Sequence, residues 1–111
     1  MIHIQIVLRA GALRRVTSCG HSTVTNGMES APCAAVSVAL KSFGLLLTDH
    51  GCTVHGVVPR PGEFDLRCDE CDDLSWYTGA ADMLRTVIAE VERDWPGQVS
   101  VQYSEEKANG T

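Results

Sequence analysis

The chain has 111 residues, of which 44% are hydrophobic and 21% charged, so it is the size of one ordinary globular domain. Nine Lys and Arg oppose fourteen Asp and Glu, which gives a net charge of −5. This acidic balance, with scattered basic residues, argues against direct nucleic-acid binding. The longest apolar runs are far shorter than the roughly 20 residues that span a bilayer, so we expect no membrane partner. The residues after Met1 show no export signal, which predicts a cytoplasmic location.

The N-terminal third of the chain begins with a hairpin pattern. Residues 2–8 alternate between apolar and other side chains, as a half-buried strand does. Ala10 and Gly11 provide a turn, and residues 13–19 read as the returning strand. Residues 20–31 are small and polar without periodicity, which predicts a surface loop.

The middle of the chain predicts a helix and a second hairpin. Ser30 followed by Pro32 is typical of a helix start, and residues 34–47 continue as an almost wholly apolar helix that we expect to be buried on most sides. Residues 53–58 and 63–68 flank a turn rich in proline and glycine, which predicts two short paired strands.

The C-terminal part carries the clearest helical pattern. From Thr78, a reasonable N-cap, apolar side chains recur at helical spacing until Pro96 and Gly97 end the helix. Residues 98–103 alternate again as a strand, and residues 104–111 form a polar tail that we expect to be disordered.

The resulting element order is ββαββαβ, which predicts an α+β fold. We expect a two-layer sandwich in which two helices pack on a mixed, mostly antiparallel sheet of about five strands. Residues 1–103 would form this single domain, with residues 104–111 as its tail.

One arrangement of side chains is suited to nucleophilic chemistry. Cys33 stands at the start of the apolar helix, where unpaired N–H groups and the helix dipole favour a thiolate. The same N–H groups could stabilise the oxyanion of a tetrahedral intermediate. His21, in the preceding loop, could act as the base that removes the thiol proton. Because a cysteine in an apolar helix is more often a small buried side chain, residue types alone leave both interpretations open.

A second arrangement is compatible with zinc. The set consists of Cys52, His55, Cys68 and Cys71, and four such ligands could close a tetrahedral structural site. Against this, Cys52 and His55 lie in an apparent strand, where an offset of three residues places side chains on opposite faces. A redox role for Cys68 and Cys71 is a further option. An odd count of five cysteines in a reducing compartment does not predict a disulfide framework.

The sequence also resembles a known family. Gly20-His21, followed after eleven residues by Cys33-Ala34-Ala35-Val36-Ser37, is similar to the signature of the ribosomal-processing cysteine proteases called Prp. The resemblance extends over most of the chain, from the N-terminal hairpin to the valine-rich last strand after Pro96-Gly97.

This resemblance implies a function and a set of site residues. It implies that Cys33 and His21 form a catalytic dyad, with Gly20, Ala34 and Ser37 as matching positions around them. The family removes a short N-terminal extension from a bacterial large-subunit ribosomal protein, the one numbered twenty-seven, by cutting after an apolar and aromatic stretch. Members are cytoplasmic homodimers and need no cofactor or metal.

The chain departs from the family pattern just before the cysteine. Ser30 stands where the family carries an aspartate, and it can cap the helix. The loop from Ser22 to Ala31 would close over an extended peptide, with Asn26 and Gly27 as hinges. The alternative to a protease is a noncatalytic binding module, stabilised by zinc or associated with the ribosome, in which Cys33 is only packed in the core.

Overall fold

The computed structural model describes residues 1–20, 31–58 and 62–106 of the chain. The elements follow the order β1 (Ile2–Arg9), β2 (Ala12–Gly20), α1 (Ala31–Asp49), β3 (Thr53–Val57), β4 (Phe64–Glu70), α2 (Leu74–Asp94) and β5 (Val99–Glu105). This order and the α+β class are the ones predicted from the sequence.

The five strands form one sheet in the order β3-β4-β2-β1-β5. Three neighbouring pairs are antiparallel, and β1 pairs with β5 in parallel. The predicted mixed, mostly antiparallel sheet is therefore confirmed. The order leaves β3 and β5 as the edge strands, with β3 hydrogen-bonded to β4 alone among the described residues.

The core lies between one face of the sheet and the two helices. Ile2, Ile4 and Ile6 alternate along β1 and are buried, because every second side chain of a strand points to the same face. Val16 of β2 and Leu66 of β4 extend the same buried layer. The helices pack side by side against it, so the fold is a two-layer sandwich.

Helix α1 differs from the prediction that it is buried on most sides. Its buried row consists of Pro32, Val36, Leu40, Phe43 and Leu47, and Val38, Leu45 and Leu46 are exposed. By length and composition alone α1 could cross a membrane, although a core helix passes the same test. The expectation of no membrane partner rests on the short uninterrupted apolar runs of the sequence, and it stays a prediction. The sheet covers just one side of the helix, which leaves an apolar face outside the core.

Helix α2 begins four residues before the predicted cap. The Asp73 side chain accepts a hydrogen bond from the Trp76 N–H at 3.1 Å, so Asp73 is the N-cap. Thr78 lies inside the helix, where its Oγ1 donates to the Leu74 carbonyl at 2.8 Å. The earlier cap satisfies a first-turn N–H that Thr78 cannot reach.

The strand ends also differ by a few residues from the predicted bounds. β5 continues to Glu105, so the first two residues of the predicted tail belong to the sheet. The rest of the tail, residues 107–111, lies outside the described residues, as do residues 21–30 and 59–61. His21, Ser22, Asn26, Gly27 and Ser30 all fall in the first of these internal segments.

Candidate active site

A cavity of about 180 Å³ opens at the start of α1. Cys33, the third residue of the helix, lines it and is half-buried. Ser37 and Lys41 lie one and two turns further along α1 and line the same cavity, because residues four apart share one helix face. The structure therefore brings together Cys33 and Ser37, as the resemblance implies, and adds Lys41.

The opposite wall of this cavity comes from two places in the sheet. Ile2 and Ser18 contribute from the central strands, and Gly20 contributes from the last position of β2. Val58 and Phe64, described residues on either side of the β3–β4 turn and called the hairpin tip below, complete the wall. Sequence reasoning assigned the substrate contacts only to the loop before α1 and missed the hairpin tip; the proline- and glycine-rich turn is the signal that marked it.

Gly20 is required by the backbone at the edge of the cavity. Its φ of +96° lies in the left-handed region that L residues rarely adopt. A Cβ atom placed on Gly20 would also clash with the backbone carbonyl oxygen of Met1. The glycine of the sequence signature therefore has a structural reason, independent of any resemblance: only glycine fits this close approach of β2 to the first residue.

The N-terminus of α1 provides hydrogen-bond donors beside the thiol. The first-turn N–H groups of any helix lack acceptors within the helix, and the backbone N–H of Ala34 belongs to this turn. The first turn of α1 contains no acidic residue, whereas the carboxylate of Glu63 and the cation of Lys41 both line the same cavity. The site is thus suited to hold an anion, whether a thiolate or an oxyanion.

The other four cysteines are placed differently from Cys33. Cys19 is exposed and is paired with exposed His3 on the sheet face away from the helices. Cys68 is buried, and burial raises the pKa of its thiol. Cys52 and Cys71 form a disulfide, with Cα atoms 4.4 Å apart. Cys33 is therefore the one cysteine whose thiol is partly accessible and lines a cavity.

This disulfide was not predicted, and it separates the residues of the zinc hypothesis. Cys52 and Cys71 bond to each other, the Nε2 atom of His55 lies 2.9 Å from an oxygen of Asp69, and the Cys68 thiol points to the Glu70 carbonyl. Across residues 1–20, 31–58 and 62–106, no three or more His, Cys, Asp or Glu side chains form a group able to hold a metal. The redox option for Cys68 and Cys71 is wrong in its pairing, because the partner of Cys71 is Cys52.

Comparison with known proteins gives a consistent result at the level of the fold. No family model matches the chain, and no curated protein matches it. One similar solved structure is the ribosomal processing protease Prp from S. aureus in complex with a covalently linked product peptide. Its TM-score is 0.81 at 15% sequence identity, and the alignment covers 94% of this chain and 100% of that one. The same protease with a substrate peptide has a TM-score of 0.80 at 14% identity, with the same coverage.

A third solved structure extends the similarity to another organism. SMU.848 from Streptococcus mutans has a TM-score of 0.78 at 21% identity, covering 95% of this chain and 98% of that one. The similarity thus spans nearly the whole length of each chain. The fold implied by the sequence signature is confirmed, and this chain has the fold of the ribosomal processing protease Prp.

Proposed function

We propose that the chain belongs to the Prp family and is a cysteine endopeptidase that removes the N-terminal extension of the bacterial large-subunit ribosomal protein numbered twenty-seven. One observation carries the proposal. A half-buried thiol, Cys33, lines a cavity at the N-terminus of α1, in a fold shared with a protease solved in complex with a substrate peptide. The substrate would be a ribosomal protein precursor with an apolar and aromatic extension, and no cofactor is needed.

The proposed reaction uses Cys33 as the nucleophile and His21 as the base. His21 accepts the thiol proton, and the Sγ atom of Cys33 attacks the peptide carbonyl carbon. The first-turn N–H groups, that of Ala34 among them, stabilise the resulting oxyanion. As the C–N bond breaks, the protonated His21 gives its proton to the leaving amine. Water then hydrolyses the thioester, which releases the carboxylate product and restores the thiol.

The position of the proposed base is supported by its neighbour in the chain. Gly20 lines the cavity, and a single peptide bond joins Gly20 to His21. Ser30 takes the position of the family aspartate; it would cap α1 and leave His21 oriented by other groups.

The cavity and the charge of the chain favour the proposed substrate. Apolar side chains from β1, α1 and the hairpin tip contribute five of the twelve described residues that line the cavity: Ile2, Val36, Leu40, Val58 and Phe64. Such a lining suits an apolar or aromatic peptide segment. The net charge of −5 would speed the encounter with a basic ribosomal precursor in the cytoplasm.

We expect the active species to be a homodimer assembled through the exposed apolar face of α1. An apolar groove of about 970 Å³ lies between α1 and α2, and Val38 and Met83 on its rim are 63% and 66% exposed. An apolar surface of this kind often marks a protein interface. In analytical ultracentrifugation, Val38→Glu should shift the wild-type dimer to monomer, whereas Tyr103→Ser, at an exposed position on β5, should not. A wild-type chain that sediments as a monomer would contradict the dimer.

The test of the activity is mass spectrometry of the host's own precursor after incubation with each variant. Wild type should make one N-terminal cut, Cys33→Ala none, and His21→Ala should cut about 10² to 10⁴ times more slowly. Cys19→Ala, which removes an exposed thiol elsewhere, should cut normally. A cut by Cys33→Ala would disprove the role of the thiol. If wild type and Ser30→Asp both fail to cut, the proposed function is wrong.

A further inference from the structure

The disulfide Cys52–Cys71 lies at the opposite end of the β3–β4 hairpin from the proposed catalytic cavity. Cys52 directly precedes β3 and Cys71 directly follows β4, so the bond closes a loop that contains the whole hairpin. The tip of that hairpin, with Val58 and Phe64, lines the cavity of Cys33. The bond thus fixes the base of an element whose tip forms part of the site.

The hairpin has few other restraints at its base. β3 is an edge strand, and four of its five residues are exposed. Its pairing with β4 is irregular between Thr53 and Val54, immediately next to Cys52. Because an edge strand with little apolar burial opens at low free-energy cost, the covalent bond is the strongest restraint on this end of β3.

The same corner joins the two helices of the fold. Gly51 follows α1 in the left-handed conformation. The Gly51 N–H donates to the Thr48 carbonyl, and the Cys52 N–H donates to the Leu47 carbonyl, each at 3.0 Å. These two hydrogen bonds form a Schellman motif. Beyond the end of α1, the ring of His50 stacks on Trp76 of α2, with centroids 3.6 Å apart. The disulfide therefore connects the end of the helix that carries Cys33 to the start of α2.

From this placement we propose that Cys52–Cys71 is a reversible redox lock on the β3–β4 hairpin, and that the oxidised state holds the cavity wall in its working position. The proposal rests on the proposed function for its link to catalysis. Disulfides of cytoplasmic proteins are usually catalytic or redox-sensing rather than permanent, which agrees with a bond that regulates the site.

The exposure of the two sulfur-bearing residues allows thiol exchange at one of them. Cys52 is only 8% exposed, whereas Cys71 is partly accessible. A glutathione thiolate attacks Sγ of Cys71, forms a mixed disulfide and releases the Cys52 thiolate, which takes up a proton. A second glutathione then attacks the mixed disulfide, so two glutathione thiols become one glutathione disulfide and the protein gains two electrons and two protons. Glutathione disulfide reverses both steps.

Cys68, three residues before Cys71, does not compete in this exchange. Its side chain is buried, and burial raises the pKa of the thiol. Since the thiolate is the attacking species, Cys68 stays inert while Cys71 exchanges with small thiols. The Cys52–Cys71 pair therefore has two states, the disulfide and the two free thiols.

The first experiment measures the lock without reference to peptide cutting. The full-length Cys33→Ala variant is equilibrated with glutathione disulfide or with dithiothreitol and then alkylated for peptide mapping. Cys52 and Cys71 should be alkylated only after reduction. Reduction should lower Tm by about 10 °C, as expected for opening a loop of this length, and should raise hydrogen exchange of the β3 amides severalfold. Equal alkylation, Tm and exchange in both states would overturn the proposal.

Matched variants and an activity measurement complete the test. Cys33→Ala with Cys52→Ser and Cys71→Ser should have the reduced Tm in both conditions, whereas Cys33→Ala with Cys19→Ser should respond normally. Because glutathione disulfide would also cap the accessible Cys33 thiol, cutting is compared with Cys33 kept reduced. Wild type that retains the Cys52–Cys71 bond should cut the precursor severalfold faster than the Cys52→Ser, Cys71→Ser variant, and equal cutting by the two proteins would overturn the link to the site. If the lock responds but neither state cuts, the proposed function fails and the redox lock stands.

Discussion

Gly20→Ala tests the two reasons why position 20 requires glycine, which are its left-handed backbone conformation and the close approach of the Met1 carbonyl. At φ +96°, an alanine incurs the backbone cost of a left-handed conformation, which is about 1–2 kcal/mol. Its Cβ atom would also clash with the Met1 carbonyl, so the paired ends of β1 and β2 must move apart. Because Ile2 is opposite Gly20 in this pairing, we expect at least another 1–2 kcal/mol from disturbed packing.

Gly11 provides the matched control, because its φ is +81° and no atom lies within 4 Å of an added Cβ. For a 111-residue chain, 1 kcal/mol corresponds to a change of roughly 4 °C in Tm. Gly11→Ala should therefore lower Tm by about 4–8 °C and Gly20→Ala by about 8–16 °C in thermal unfolding followed by circular dichroism. At temperatures where both variants are folded, only Gly20→Ala should lose precursor cutting. Equal Tm values and normal cutting by Gly20→Ala would refute this reasoning.

Two further predictions concern the polar contacts of the sheet. The buried Tyr77 hydroxyl donates a hydrogen bond to the Leu13 carbonyl. Tyr77→Phe should therefore lower the free energy of unfolding, measured by urea denaturation, by about 1–3 kcal/mol. A loss no larger than that caused by Tyr103→Phe, at an exposed position, would contradict this prediction. The hydrogen bond and charge of Arg15 lower the pKa of Asp65, so this pair stabilises the fold above the ordinary carboxyl pKa and the contribution is lost as pH falls through the lowered value. Because both side chains are partly exposed, the Tm difference between wild type and Asp65→Asn should reflect at most about 1 kcal/mol at pH 7 and should shrink as the pH is lowered below the ordinary carboxyl pKa. A difference independent of pH would exclude the ion pair as its source.

The sequence alone determined the element order and the position of the candidate nucleophile. Alternation in β1 and helical spacing in α2 are local patterns that survive in the tertiary structure, since each reports which side of an element is buried. Cys33 could be placed at a helix start from Ser30, Pro32 and the apolar run alone. The need for glycine at position 20 was visible only as part of a signature, because the clash with Met1 depends on strand pairing.

Only the tertiary structure decided which distant groups share a surface. The order β3-β4-β2-β1-β5 brings the hairpin tip to the Cys33 cavity, and no local pattern encodes strand neighbours across the sheet. The pairing of Cys52 with Cys71 depends on where the end of α1 meets the start of α2. The exposed apolar face of α1 arises for the same reason: composition reports that a helix is apolar, whereas the number of layers packed around it decides how much of that surface is buried.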